Sequence, residues 1–243
     1  MNTVSTNDIK TAQDIIQKTR QQKRPILEPE AKEFINAFGI ASTRYRVVSS
    51  VTDAIQVAAF LGYPIVLKIV SPDVSHKTDV GGVKIDVRDE EGVRASYDEI
   101  IRNVKKRQPN ARIHGILVEE MAASSAEVIV GGLRDFQFGP VVMFGLGGIF
   151  VEIFKDVSFR IAPVEEREAL DMIYDVKGAK VLRGFRGTEP LDVLALTQTI
   201  LQISRIMTSL EEISEIDLNP VLVYQKGIKT VDARIVLNQV YRE

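Results

Sequence analysis

The second half of the chain carries the pattern that most narrows its fold. "AEVIVGGLRD" (126–135), "FGPVVMFGLGG" (138–148) and "VSFRIAPV" (157–164) are short apolar runs separated by glycine-bearing connections. Runs this short and this close leave no length for crossover helices. They predict strands that lie antiparallel to their neighbours as a meander. Two helices are expected next, near 165–175 and 189–209. The chain then ends on "EIDLNPVLVY" (215–224) and "IKTVDARIVL" (228–237), joined by "QKG", which reads as a hairpin turn.

The front half has a different rhythm. Residues 7–24 read as a polar helix and about 29–38 as a second, with Pro29 suited to its first turn and Gly39 to its stop. "TRYRVV" (43–48) reads as a strand and "SVTDAIQVAAFLG" (50–62) as a capped helix. "YPIVLKIV" (63–70) is a compact apolar strand with one embedded lysine, and "VKIDVRD" (83–89) alternates with period 2. A long amphipathic helix at 90–107 and a strand in "RIHGILVEEM" (112–121) complete it. The fold class expected is α+β, with a βαβ-like front and a helix-flanked antiparallel sheet behind.

Composition excludes several chemistries. There are no cysteines, so disulfides, thiolate nucleophiles and Cys-based metal sites are out. Two histidines cannot build a His-rich zinc site unaided. A net charge of −2 gives no general attraction to nucleic acid or to an anionic membrane. No apolar run is long enough to span a bilayer, and the N-terminus lacks the basic-then-apolar pattern of a secretory signal. The expected setting is the cytoplasm, with no nucleic-acid or membrane partner.

Several residues could carry chemistry. Asp217 and Asn219 are two apart on one strand and so share a face, and the hairpin turn would bring Asp232 across from them. Carboxylate and amide oxygens are the hard donors that magnesium takes, usually with phosphate completing its shell. A solvated hairpin face explains the same residues. Lys68 lies inside an apolar strand, where its charge needs an anion or an escape to the strand end. Glu119 and Glu120 end a strand before Met121, where backbone groups could meet a base and a carboxylate a ribose. Glu127 starts the next strand with a similar standing. The cluster Gly145, Gly147 and Gly148, followed by Glu152, fits neither the dinucleotide fingerprint nor a Walker A loop.

The loop "SPDVSHKTDVGGV" (71–83) follows the Lys68 strand directly. Gly81 and Gly82 would let backbone amides approach a phosphate, and Lys77 would neutralise it. Ser75 or Asp79 could orient His76. A neutral imidazole can accept a phosphoryl group. Equally, an exposed loop can hold a histidine with no function, and the residues alone leave both readings open.

"PIVLKIVSPDVSHKTDVGGV", "LVEEM", "VVMFGLGGIFVEIFKDVSFRIAPV", "LRGFRG" and "EIDLNPVLV…VDARIVL" together resemble the ATP-grasp (beta) subunit of NDP-forming acyl-CoA synthetases of the ADP-forming acetate–CoA ligase type. These are relatives of the succinyl-CoA synthetase beta subunit. The resemblance runs from about residue 26 to 240, with the motifs in family order. It implies an ATP-grasp fold in which nucleotide lies between two subdomains. The smaller would span 46–118, the larger 26–45 with 119–243, and residues 1–25 would be an N-terminal extension.

The resemblance also implies roles. Lys68 is similar to a phosphate-contacting lysine, Glu119 to Met121 to the adenine hinge, and Glu127 to a ribose-side acid. Asp217, Asn219 and Asp232 resemble a magnesium set, and Arg160 a phosphate-facing arginine. Arg183 and Arg186 of "LRGFRG" belong to the family pattern with no role attached. The implied reaction converts an acyl-CoA, ADP and phosphate to the free acid, ATP and CoA, and His76 would relay the phosphoryl group. CoA chemistry would belong to a separate alpha subunit in an alpha2beta2 heterotetramer, because the chain shows no CoA-binding front half. Two other expectations remain: a different ATP-grasp carboxylate ligase, or a nucleotide-sensing domain of a regulated partner.

Overall fold

The computed structural model describes residues 6–148, 156–184 and 189–238. The chain divides into two compact units. One comprises Met1–Ile26, Ala31–Ser42 and Ser124–Glu243, and the other Leu27–Glu30 with Thr43–Ala123.

The larger unit is a one-sided sheet. Strands β5 (Ala126–Asp135), β6 (Gly139–Leu146), β7 (Val157–Ile161), β8 (Ile213–Val223) and β10 (Ala233–Leu237) run in the order β10-β8-β5-β6-β7. The short β9 (Ile228–Thr230) also pairs with β8. All named neighbours are antiparallel, and β5, β6 and β7 form the expected meander. The expected second strand of the C-terminal hairpin is broken at Val231 and Asp232 into β9 and β10.

Alternation decides the two faces. Val128, Val130, Val142, Phe144, Leu218 and Ala233 point to a buried core. Four helices contribute to that core: α1 (Thr6–Gln21), α2 (Glu28–Ala37), α5 (Glu166–Asp175) and α6 (Val193–Ser209). α1 is more firmly held than its polar sequence implies, because Ala12, Ile15 and Ile16 are buried on one face. A 3-10 turn, Lys177–Arg183, connects α5 towards α6. The opposite face carries Glu127, Gly131, Met143, Phe159 and Asp217, of which Glu127 and Phe159 are exposed.

Asp192 caps α6 and ties it to the last hairpin. Its Oδ1 accepts from Ala195 N at 2.9 Å and its Oδ2 from Gly227 N at 2.7 Å. The backbone amides of Gly227 and then Ala195 hold its carboxyl below the usual carboxylate range. A carboxylate whose folded pKa is depressed contributes stability above its unfolded pKa, and the contribution is lost as pH falls through the folded value. Asp192→Ala is expected to cost about 1–2 kcal/mol at pH 7. The gap in melting temperature to wild type should close as the pH is taken below the ordinary carboxylate range. An equal gap at pH 3 and pH 7 would contradict this.

The smaller unit is a four-stranded sheet in the order β1-β4-β2-β3, from β1 (Tyr45–Val48), β2 (Ile65–Val70), β3 (Val83–Val87) and β4 (Gly115–Glu120). Every adjacent pair is antiparallel. The βαβ reading survives in split form. β1 and β2 are parallel across an intervening β4 and are joined by α3 (Val51–Leu61). β3 and β4 are parallel across β2 and are joined by α4 (Glu90–Arg107). Ser50 caps α3 by accepting from Asp53 N, and Asp89 caps α4 by accepting from Gly92 N. Both helices cover one face, where Ile65, Leu67, Ile69, Ile116 and Val118 form the core with Ala54, Val93 and Ile100. By alternation Lys68 and Glu119 lie on the other face.

Candidate functional site

In the smaller unit the Lys68 strand meets its anions. Lys68 stands two residues along from Val66, the cross-strand partner of Glu119, so the two side chains converge on one face. Lys68 Nζ is 2.9 Å from Glu119 Oε2 and donates to Glu28 Oε1 at 2.7 Å. Glu28 Oε2 also lies 3.0 Å from Lys77 Nζ, and the Thr43 hydroxyl donates to Glu119 Oε1. Glu28, Lys68 and Glu119 are all buried. Burying such charges is tolerable only when they are paired and hydrogen-bonded, as they are here.

The loop that follows is pinned at both ends. Val74 and Val80 insert into the core of this unit on either side of His76, which is exposed. Asp73 Oδ1 and Oδ2 take a bidentate ion pair from Arg112 at 2.7 and 2.9 Å, plus the Arg112 amide at 2.8 Å. Those bonds, the side-chain ones first, bring the Asp73 carboxyl down to about 2. Arg107 donates to Asp79 O, and Asn103 Nδ2 to Gly81 O at 3.4 Å. The imidazole of His76 has no hydrogen-bond partner among the described residues, so neither Ser75 nor Asp79 orients it. The result is a fixed frame presenting one accessible ring.

The two loop glycines differ from expectation. Gly81 N donates to Thr78 O at 2.9 Å and Gly82 N to Lys77 O at 2.7 Å, so both amides close the loop's own turns rather than face a phosphate. Their glycine requirement has a packing cause. Gly81 has φ +67°, and a Cβ at Gly82 would stand 2.6 Å from Ile69 Cγ2. The acidic strand end is also occupied. Glu120 accepts from the Arg44 amide at 3.0 Å and from Arg44 Nε at 2.7 Å, while Met121 N donates to Pro64 O at 3.2 Å. Of the expected hinge, the Met121 side chain is the exposed part.

In the larger unit Asp217 and Asn219 lie two apart on β8, with the Asp232 backbone beside Asn219. Asp217 pairs with Gly131 across to β5, and Asn219 N donates to Asp232 O at 3.2 Å. Asp217 and Asn219 flank buried Leu218 and so lie on the face away from the helices. Asp232 adjoins Ala233, which is buried opposite Leu218. Burial, then Glu215, pushes the Asp217 carboxyl up, and Arg234 offsets this in part. A carboxylate in that setting gains from a divalent cation, and the donor set is the hard-oxygen type magnesium takes. No cluster of three or more His, Cys, Asp or Glu suited to a metal occurs among the described residues. The fit therefore depends on Asn219 and on oxygens from a bound phosphate.

Glu127 is exposed and shares that face. Arg160 does not. It pairs with Val142 on the covered side and donates to Asp175 Oδ2 at 2.7 Å, near the end of α5. The sheet itself thus separates Arg160 from Asp217 and Asn219. Arg183 stacks over the Tyr174 ring, 4.1 Å from its centroid. Glu152 and Arg186 lie outside the described residues. Glu28 was missed by sequence reasoning. A glutamate at a helix start reads as dipole complementation, and nothing local signals that it reaches Lys68.

An ATP-grasp domain family model matches residues 17–237. The beta subunit of acetate–CoA ligase [ADP-forming] I from Pyrococcus furiosus is 44% identical over 93% of this chain and 97% of its own length. Acetate–CoA ligase [ADP-forming] I from Archaeoglobus fulgidus is 45% identical over 94% of this chain, which spans 33% of that longer protein. Among solved structures, the dinucleotide-forming acetyl-coenzyme A synthetase 1 of Ca. Korarchaeum cryptofilum, in complex with coenzyme A and Ca-AMPCP, superposes with a TM-score of 0.90 at 53% identity. That match covers 93% of this chain and 100% of that one. A further complex of the same protein contains Mg-AMPPCP, with a phosphohistidine segment pointing towards the nucleotide binding site. The chain belongs to the ATP-grasp domain family, and within it to the beta subunits of ADP-forming acetate–CoA ligases.

Proposed function

We propose that this chain is the nucleotide-handling subunit of an acid–CoA ligase that makes ATP from ADP, and that His76 carries the phosphoryl group on its way to ADP. The observation that carries this reading is one exposed imidazole held on a doubly pinned loop, next in sequence to Lys77 and in the same unit as Lys68. In the relay the ring nitrogen of His76 attacks an incoming phosphoryl group and forms an N–P bond as the donor's bond breaks. A terminal oxygen of ADP then attacks phosphorus, the N–P bond breaks, and neutral imidazole is regenerated. Lys68 and Lys77 bind phosphate oxygens and offset the charge that builds up between donor and acceptor.

Asp217, Asn219 and Asp232 would hold the metal. Magnesium, when bound, supplies charge neutralisation and fixes the orientation of the nucleotide phosphates. Met121 and Glu127 are assigned to the base and ribose of the nucleotide. Arg160, bound to Asp175 on the covered face, is left out of the site. The coenzyme A chemistry falls to a separate alpha subunit, assembled as alpha2beta2. The fusion of a similar sequence into a chain three times as long supports a partner of that kind. No helix among the described residues is long and apolar enough to cross a membrane.

The test is to incubate the chain with gamma-labelled ATP and magnesium, with and without the alpha subunit. The expected product is an acid-labile, base-stable phosphoprotein whose label maps to His76 and exchanges with the alpha subunit. Binding of Mg·ATP with no label under either condition would remove the relay and leave the nucleotide-sensing reading.

A further inference from the structure

The charge balance around Lys68 raises a difficulty for any phosphate that approaches it. Two ammonium groups, Lys68 and Lys77, face two carboxylates, Glu28 and Glu119, at 2.7 to 3.0 Å. Taken on their own these four charges cancel, so Lys68 and Lys77 attract an anion less while both carboxylates are in place than they would alone. Glu28 is the bridging member. Its Oε1 takes Lys68 and its Oε2 takes Lys77, which is how two oxygens of one phosphate would engage two lysines.

Resting on the function proposed above, we propose that Glu28 is a resident counter-anion whose place between Lys68 and Lys77 is taken by a nucleotide or inorganic phosphate. The two carboxylates are not equivalent. Glu119 lies within β4, where it accepts from Thr43 and pairs with Lys68 across the sheet, so it is held on both sides. Glu28 is the first residue of α2, at the end where the helix's own N-terminal amides lie. That end of a helix favours a carboxylate, which lowers the cost of displacing it. Lys77 is the least buried of the bridged side chains, 22% exposed against 3% for Glu28. It follows His76 directly in the chain, so a phosphate that replaces Glu28 at Lys77 arrives next in sequence to the relay histidine.

Titration of the full-length chain with Mg·ADP and with inorganic phosphate at low salt tests this. Glu28→Gln leaves a net positive group, and both anions are expected to bind about tenfold more tightly, equivalent to ~1.4 kcal/mol. The double variant Glu28→Gln/Lys77→Gln also removes one of the two cations the phosphate would engage, so the gain should be lost and binding should be no tighter than wild type. In the wild-type chain, the carboxyl-carbon resonance of Glu28 should shift on adding Mg·ADP, which tests the exchange even if Glu28→Gln does not fold. Wild type that binds Mg·ADP while Glu28→Gln binds equally or more weakly, or an unmoved Glu28 resonance, overturns the exchange alone. Failure of both proteins to bind any nucleotide overturns it together with the functional reading.

Discussion

His76→Asn should abolish phosphoprotein formation and lower acyl-CoA turnover in the complex with the alpha subunit by roughly three orders of magnitude or more. Losses of that size follow removal of a side chain that forms a covalent intermediate, because no other group takes over the bond. Asparagine keeps a polar, exposed side chain, so the loop should survive the change. Val74 and Val80 still fill the core, and Asp73 still grips Arg112. Binding of Mg·ADP should therefore stay within about threefold of wild type, so the damage falls on kcat with KM for ADP little moved. That split separates a relay from phosphate positioning, since a positioning residue would weaken ADP binding and leave appreciable turnover. A His76→Asn enzyme retaining more than about a tenth of wild-type kcat would rule out the relay.

The placement of the hairpin residues was the most legible, and the reason is geometric. A period of two and a short turn suffice to put Asp217 and Asn219 on one face with Asp232 across from them. Arg160 was illegible for the complementary reason. "VSFRIAPV" is apolar at positions of both parities, so alternation does not say which face the helices cover. Register does, because Arg160 sits opposite buried Val142. Gly81 and Gly82 were read as a phosphate cradle, yet a Gly-Gly pair serves a tight turn equally well. Only their hydrogen bonds to Thr78 and Lys77 decide between the two.

Lys68 was recognised because a lysine in an apolar strand demands an anion. The answer was only half visible. Glu119 lies on a neighbouring strand, but Glu28 is 40 residues upstream in a helix start, and that reach is a property of the fold. The split βαβ topology follows the same logic. Helix and strand order were readable, whereas the insertion of β4 between β1 and β2 depends on long-range pairing.

Lys68→Met should damage both stability and nucleotide binding in the smaller unit, in two separable ways. Methionine fills the space of the lysine stem but leaves Glu28 and Glu119 buried with one fewer counter-charge. Breaking a buried pair by removing one partner costs about 3–5 kcal/mol, because the remaining charge is uncompensated. The chain should therefore show a lower-melting transition for this unit and lose Mg·ADP binding as well. Loss of binding alone would be ambiguous, since a half-unfolded site binds nothing. The triple variant Lys68→Met/Glu28→Gln/Glu119→Gln resolves this. It removes the stranded carboxylates, leaves the partly exposed Lys77 as the remaining charge, and should recover most of the melting temperature, because replacing buried ion pairs with neutral side chains is close to neutral in energy. Nucleotide binding should not return, because the ammonium that meets phosphate is still missing. If the triple variant binds Mg·ADP as tightly as wild type, Lys68 is a structural counter-ion for Glu28 and Glu119 and has no part in holding the nucleotide.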